Sequence, residues 1–205
     1  MKPIQVLVTS LTLSLASLSA QAGYTTLDLS TLVDSDLSGY TNGTSYPGPG
    51  AISIGGIPFD LTAGTNGNTW VVGGTASIGT PKSYAITGLN VANITSMYAI
   101  INSAFGLCGT SVGAIGASTG ASSVSFGLVE GTNVRDHFNS VFCNTATDIV
   151  ATANYGNGVR FDVYQFDLTG LTSNGANPIS GLDFSTFRDA QHAKIFHPRA
   201  TRFEL

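Results

Sequence analysis

The chain has 205 residues, 42% of them hydrophobic and only 10% charged, with 25 glycines, a formal net charge of −4 and a mean hydropathy of +0.23. This is the length of one compact domain and the composition of a folded one, which excludes disorder, collagen and coiled coil. Eight basic against twelve acidic side chains leave no cationic stripe to neutralise phosphates, so nucleic acid and anionic membrane surfaces are not expected as partners.

Residues 1–22 read as a secretory signal peptide. Met1-Lys2-Pro3 precedes an apolar stretch from Ile4 to Leu18, and Ala20 and Ala22 suit an A-x-A cleavage site. Thr9, Ser10, Thr12 and Ser14 interrupt a run already shorter than the roughly 20 residues of a spanning helix, so a secreted product without membrane insertion is expected. Residues 23–205 then form a single domain. Asp34-Ser35-Asp36-Leu37-Ser38-Gly39 copies the opening of a calcium loop, but Ser45 stands where the bidentate Glu belongs and no helices flank it. Asp34 and Asp36 are candidates for a structural Ca²⁺ site on a sandwich edge, against the plainer reading of a solvated turn. No other cofactor is expected.

Two-residue periodicity begins at Leu27 and Leu29 and predicts further strands over 51–61, 69–72, 82–88, 95–105, 124–129, 147–153, 159–168, 179–187 and 192–205. Turn-rich pieces such as Pro47-Gly48-Pro49-Gly50 separate them. In 159–168, Val159, Phe161 and Val163 alternate with Arg160 and Asp162, which predicts one core face and one wet face. Phe166 and Leu168 fall on the other parity, so a bulge near Tyr164-Gln165 is expected. Residues 183–193, with Phe184 and Phe187 in step, are the best helical candidate, and the Gly/Ser/Thr-rich stretch 109–123 reads as a long surface loop. About ten short strands predict an all-β, two-sheet antiparallel sandwich of the jelly-roll kind.

Cys108 and Cys143 are the only cysteines, and in an exported chain they are expected to bridge. Closing their 35-position loop stabilises the fold by roughly 3 to 4 kcal/mol in the chain-entropy model. Gly109-Thr110-Ser111-Val112-Gly113 matches the G-x-S-x-G string of hydrolases, but that elbow works only between a strand and a helix, and the glycine-rich sequence that follows is no helix former. His192 and His197 have no carboxylate or cysteine at ligand spacing, so zinc is not expected. Nothing selects a catalytic pair of acids, and the domain is read as non-enzymatic.

Arg135-Asp136-His137-Phe138 is the densest local group of polar function. Such a group can hydrogen-bond vicinal hydroxyls while a ring covers a sugar's apolar face. An Arg135–Asp136 ion pair at a strand end is the structural alternative. Trp70, the only Trp, is read as core or as a sugar platform, and Tyr155, in a turn-rich segment, is a second candidate ring. Asn42-Gly43-Thr44 and Asn93-Ile94-Thr95 match glycosylation sequons.

Three segments in order carry a family likeness: Gly55-Gly56-Ile57-Pro58-Phe59-Asp60-Leu61 with Tyr84-Ala85-Ile86, then Met97 to Phe105, then Val129 to Phe138. They resemble the galactose-binding-like β-sandwiches attached to secreted glycoside hydrolases, with a "GIPF" strand, an apolar strand and a "G-x-N-I-x-D-W"-like segment. The likeness covers most of Ile54 to Leu205, where Arg202-Phe203-Glu204-Leu205 suits a closing strand. It implies that fold and an association with carbohydrate or a glycan-bearing surface. Two departures stand out: no catalytic domain is expected beside this one, and the cysteine pair is not part of the pattern. A structural or interaction protein of the cell surface or matrix is the alternative function.

Overall fold

The alternating segments pair into antiparallel sheets in the computed structural model, which describes residues 23–29, 46–61, 71–72, 83–104, 107–138, 143–186, 194–197 and 200–204. The expected signal peptide, Asp34, Asp36, Trp70, His192 and the Asn42 sequon lie outside the described residues. In chain order the strands are β1 (Tyr24–Asp28), β2 (Gly50–Ile54), β3 (Ile57–Leu61), β4 (Val71–Val72), β5 (Ser83–Val91), β6 (Ser96–Ile100) and β7 (Asn102–Ala104). After these come β8 (Ser111–Ser118), β9 (Ser123–Val129), β10 (Ile149–Asn154), β11 (Arg160–Asp167), the one-turn helix α1 (Thr169–Thr172), β12 (Ile179–Thr186), β13 (Lys194–His197) and β14 (Ala200–Glu204).

Two sheets make the sandwich. One has the order β1-β14-β6-β11-β10, the other β5-β12-β8-β9. Odd-numbered side chains of β6 (Met97, Ala99) and even-numbered ones of β11 (Tyr164, Phe166) meet Ile115, Ala117, Leu128, Leu182 and Phe184 of the second sheet in one buried cluster. The opposite faces of β6 and β11 (Tyr98, Ile100, Phe161, Val163) are buried in a second cluster with Tyr46, Ile54, Phe59 and Leu61. The β2–β3 hairpin therefore covers the outside of the first sheet. A third, small sheet has the order β4-β13-β7. Among the described residues no helix is long and apolar enough to cross a membrane.

Five sequence expectations change. The 51–61 segment is two strands, because Gly55 and Gly56 take φ of 61° and 83° and turn the chain into a hairpin. The 109–123 segment is no surface loop: β8 lies inside the second sheet, paired to β12 and β9, with Val112, Ile115 and Ala117 buried. Residues 183–186 continue β12 rather than starting a helix. The bulge expected near Tyr164 is absent from β11, whose pairing with β6 runs unbroken from Val163 to Asp167. The register shift sits on the partner strand, between Ile149 and Ala151 of β10. No bulge is needed in β11, since both of its faces are covered. For the same reason Arg160 and Asp162, expected on a wet face, are buried.

Candidate functional site

The segment 135–138 is stitched between β7 and β11. Ser103 N–H donates to Arg135 O at 3.1 Å, His137 N–H to Ser103 O at 2.9 Å, and Arg160 N–H to His137 O at 2.9 Å. Asp136 N–H donates to Cys143 O at 3.1 Å, which ties the segment to the Cys108–Cys143 disulfide, whose Cα atoms are 5.5 Å apart. Backbone pairing on both sides leaves these side chains little access to solvent. Asp136 is 0% and His137 1% exposed.

The acid that Arg135 holds is Asp162, not its neighbour Asp136. Arg135 Nε and Nη2 donate to Asp162 Oδ2 and Oδ1 at 2.8 and 2.7 Å, a bidentate pair. Asn102 Nδ2 donates to Oδ2 at 2.8 Å and Thr152 Oγ1 to Oδ1 at 2.7 Å, so four donors surround one fully buried carboxylate. Arg160 Nε stands 3.4 Å from Asp162 Oδ2, outside hydrogen-bond geometry, while its Nη2 donates to Asp136 O and Asn144 Oδ1, each at 2.7 Å. Asp136 Oδ1 accepts the Phe138 N–H at 2.8 Å. The arrangement is that of a satisfied interior network. The two buried side chains at 136 and 137 do not present hydrogen-bonding groups to a sugar at the surface, and the Arg135–Asp136 ion pair expected as the alternative is replaced by Arg135–Asp162.

Two more titratable groups border this network. Burial pushes the Glu130 carboxyl up to about 7, with the neighbouring Asp136 charge adding to the effect and the Ser103 hydroxyl opposing it. Neither Glu130 oxygen meets hydrogen-bond geometry with a partner among the described residues. Burial and then the Arg160 charge draw His137 down to about 4. Its Nδ1 lies 2.7 Å from the Tyr46 hydroxyl, which donates to it in the Nε2–H tautomer. Tyr46 stacks on Phe161 at 4.7 Å between ring centroids, and the half-buried Tyr155 packs edge-on against Phe161 at 4.9 Å. Half-buried Phe138 packs against the His137 ring at 4.3 Å. Tyr155 and Phe138 thus serve the aromatic layer beneath the hairpin.

Concave, solvent-reaching surface lies elsewhere. Along β9 a cavity of about 140 Å³ is lined by Phe126 and Leu128 on one wall and by Asp148 and the stretch Tyr164 to Asp167 on the other. A shallower hollow, lined by Ser122, Ser123, Val124, Thr169 and Leu171, shares Asp167 with it. Together they make a groove along the edge of the sandwich. Phe126 is half-buried and 5.1 Å from Phe166, which fixes an aromatic floor. Asp148, Gln165 and Asp167 are exposed. Asp167 Oδ1 accepts the Thr169 N–H and hydroxyl at 2.9 and 2.6 Å, which holds the carboxylate in place and below its usual pKa range. Asn133 closes the end of the cavity, with its amide bonded to Val129 N–H and Gly127 O at 2.7 and 2.8 Å.

No motif in the sequence marks this groove. Asp148 and Asp167 belong to different strand ends and share no motif, and only the packing of β9 beside β10 and β11 brings them together. Among the described residues no group of three or more His, Cys, Asp or Glu side chains is arranged to hold a metal ion. Ser111, the centre of the G-x-S-x-G string, opens β8 and is followed by strand, not by the helix a nucleophile elbow requires. No protein-family model matches the chain, and no characterised protein matches it significantly in sequence.

Proposed function

We propose that this protein is a secreted, non-catalytic β-sandwich of the jelly-roll, galactose-binding-like type that binds carbohydrate, and that the groove along β9 is its binding surface. One observation carries the reading: a concave surface joins the ring of Phe126 to the exposed acceptors Asp148, Asp167 and Gln165. An aromatic face matches the apolar side of a pyranose, and carboxylate and amide oxygens accept hydrogen bonds from its hydroxyls. Two carboxylates lining the cavity, with no Lys, Arg or His among the described residues that line it, favour neutral or amine-bearing sugars and repel uronic or sulfated ones. Export fits the one disulfide.

The test is a glycan array covering neutral, amino and acidic sugars, probed with the protein from Gly23 onward. Binding of neutral or amino glycans that is lost in Phe126→Ala and weakened in Asp148→Asn and Asp167→Asn supports the proposal. Binding indifferent to all three variants, or none at all by folded protein, overturns it. Running the array with and without Ca²⁺ addresses Asp34 and Asp36: calcium dependence would give them a structural role.

A second reading, a surface or matrix interaction protein, is favoured by the outer face of the second sheet. There Ala85, Thr87, Ser118, Ser123, Ser125 and Ser185 are small side chains that reach the surface around the buried Ala114, Gly116 and Gly181. Asp183 lies across this face, close enough to Gly116 that a Cβ there would meet its carboxylate. Such a face offers another chain close approach over a wide area.

A further inference from the structure

We propose that the groove selects sugars bearing a free, protonated amino group, de-N-acetylated hexosamines, over their N-acetylated and neutral counterparts, an inference that rests on the carbohydrate reading above. The cavity opens where β10 and β11 part. β10 pairs with β11 from Asn154 opposite Arg160 to Ile149 opposite Tyr164. Just upstream, the Thr147 N–H donates to Thr132 O at 3.0 Å and the Thr145 hydroxyl to Gly131 O at 3.1 Å, which draws the chain away. β11 runs on to Asp167 against β6. Asp148 on the departing chain and Asp167 at the end of β11 thereby line one cavity from two separate pieces of chain.

Each acid has one oxygen tied and one open. The Thr147 hydroxyl donates to Asp148 Oδ1 at 2.8 Å, and the Thr169 N–H and hydroxyl donate to Asp167 Oδ1. Among the described residues, Oδ2 of each accepts no hydrogen bond and neither acid has an ion-pair partner. Gln165 Nε2 donates to Ser96 Oγ at 3.0 Å, which leaves its Oε1 open. Both ends of the Asn133 amide are committed to backbone, and the Tyr164 hydroxyl is closed off from solvent. The side chains of the cavity thus offer open acceptors, and their donors are largely spent.

This imbalance decides the ligand's chemistry. An ammonium brings three donors, a positive charge and no acceptor. It meets both carboxylates in charge-assisted bonds and relieves their mutual repulsion. A hydroxyl in its place brings no charge, and an acetamide brings a carbonyl that needs a donor. The Phe126–Phe166 pair offers an apolar face to the sugar ring, which a bare amine would leave uncovered.

The test measures the affinity of the whole protein for tetramers of glucosamine, N-acetylglucosamine and glucose, and for the matching galacto series, at about pH 6, where the amine is protonated. In at least one series the amine-bearing tetramer should bind tighter than the other two by roughly tenfold or more. The gap should close in Asp148→Asn combined with Asp167→Asn, and narrow as salt is raised. Asp60→Asn combined with Asp183→Asn removes the same charge from exposed positions outside the groove and should leave the preference intact. Equal binding within each series, a preference that survives the groove variant, or one lost equally in the Asp60 and Asp183 variant overturns the inference and leaves the carbohydrate reading standing. Silence toward these tetramers from a protein that binds other glycans does the same. Silence toward every glycan, or tetralysine bound as tightly as the amino sugar, overturns both.

Discussion

The inward, even-numbered face of β11 builds two different interiors. At one end Tyr164, Phe166 and Leu168 join the apolar cluster between the sheets, where contact and exclusion of water do the stabilising. At the other end Arg160 and Asp162 are just as buried, at 3% and 0% exposure, but are held by ion pairs and side-chain hydrogen bonds. The apolar end needs only shape and volume. The polar end needs every partner in place, because an unpaired charge there cannot recover its lost hydration. The two ends should therefore respond in different ways to changes that preserve shape.

The largest effect should come from Asp162→Asn, nearly the same size but uncharged. It leaves the Arg135 and Arg160 guanidinium groups facing no carboxylate at that point, and a loss of about 3–5 kcal/mol is expected in urea unfolding. Replacing both Cys108 and Cys143 by Ser removes the tether beside this polar end. The expected loss is roughly 3 to 4 kcal/mol, and amide exchange should quicken first in 130–138, which Asp136 ties to Cys143. At the apolar end the matched swap Phe166→Leu should cost less than about 1.5 kcal/mol by the same measurement. If Phe166→Leu proves as damaging as Asp162→Asn, the contrast between the two ends fails. The smallest effect belongs to the exposed groove acids: Asp148→Asn and Asp167→Asn should move stability by no more than about 0.5 kcal/mol.

This contrast also marks what could be read from the chain. Alternation located β11, and it paired Val159, Phe161 and Val163 on one face and Arg160 and Asp162 on the other. Periodicity reports which side chains share a face, not what covers that face, so a doubly covered strand looked half wet. The two cysteines are bridged, as their being the only pair led us to expect for an exported chain. Strand β8 was hidden by its composition: glycine, alanine and serine read as loop, yet small residues are what let Asp183 lie over Gly116. Arg135 was singled out as a sugar ligand or as the partner of Asp136, whereas the acid it holds, Asp162, is remote in sequence and reached only through the packing of 135–138 against β11. The groove was invisible for a similar reason, since Phe126, Asp148 and Asp167 come from three separate elements.

The polar segment 135–138 builds the interior, and on the proposed function the groove along β9 meets the ligand. Melting temperature and glycan binding measured side by side for Arg135→Gln and for Phe126→Ala combined with Asp167→Asn test this division most directly. Arg135→Gln is expected to lower the melting temperature while the folded fraction still binds, and the groove variant to melt nearly as the unaltered protein does but no longer bind. Binding abolished by Arg135→Gln at full stability, with the groove variant binding normally, would contradict it.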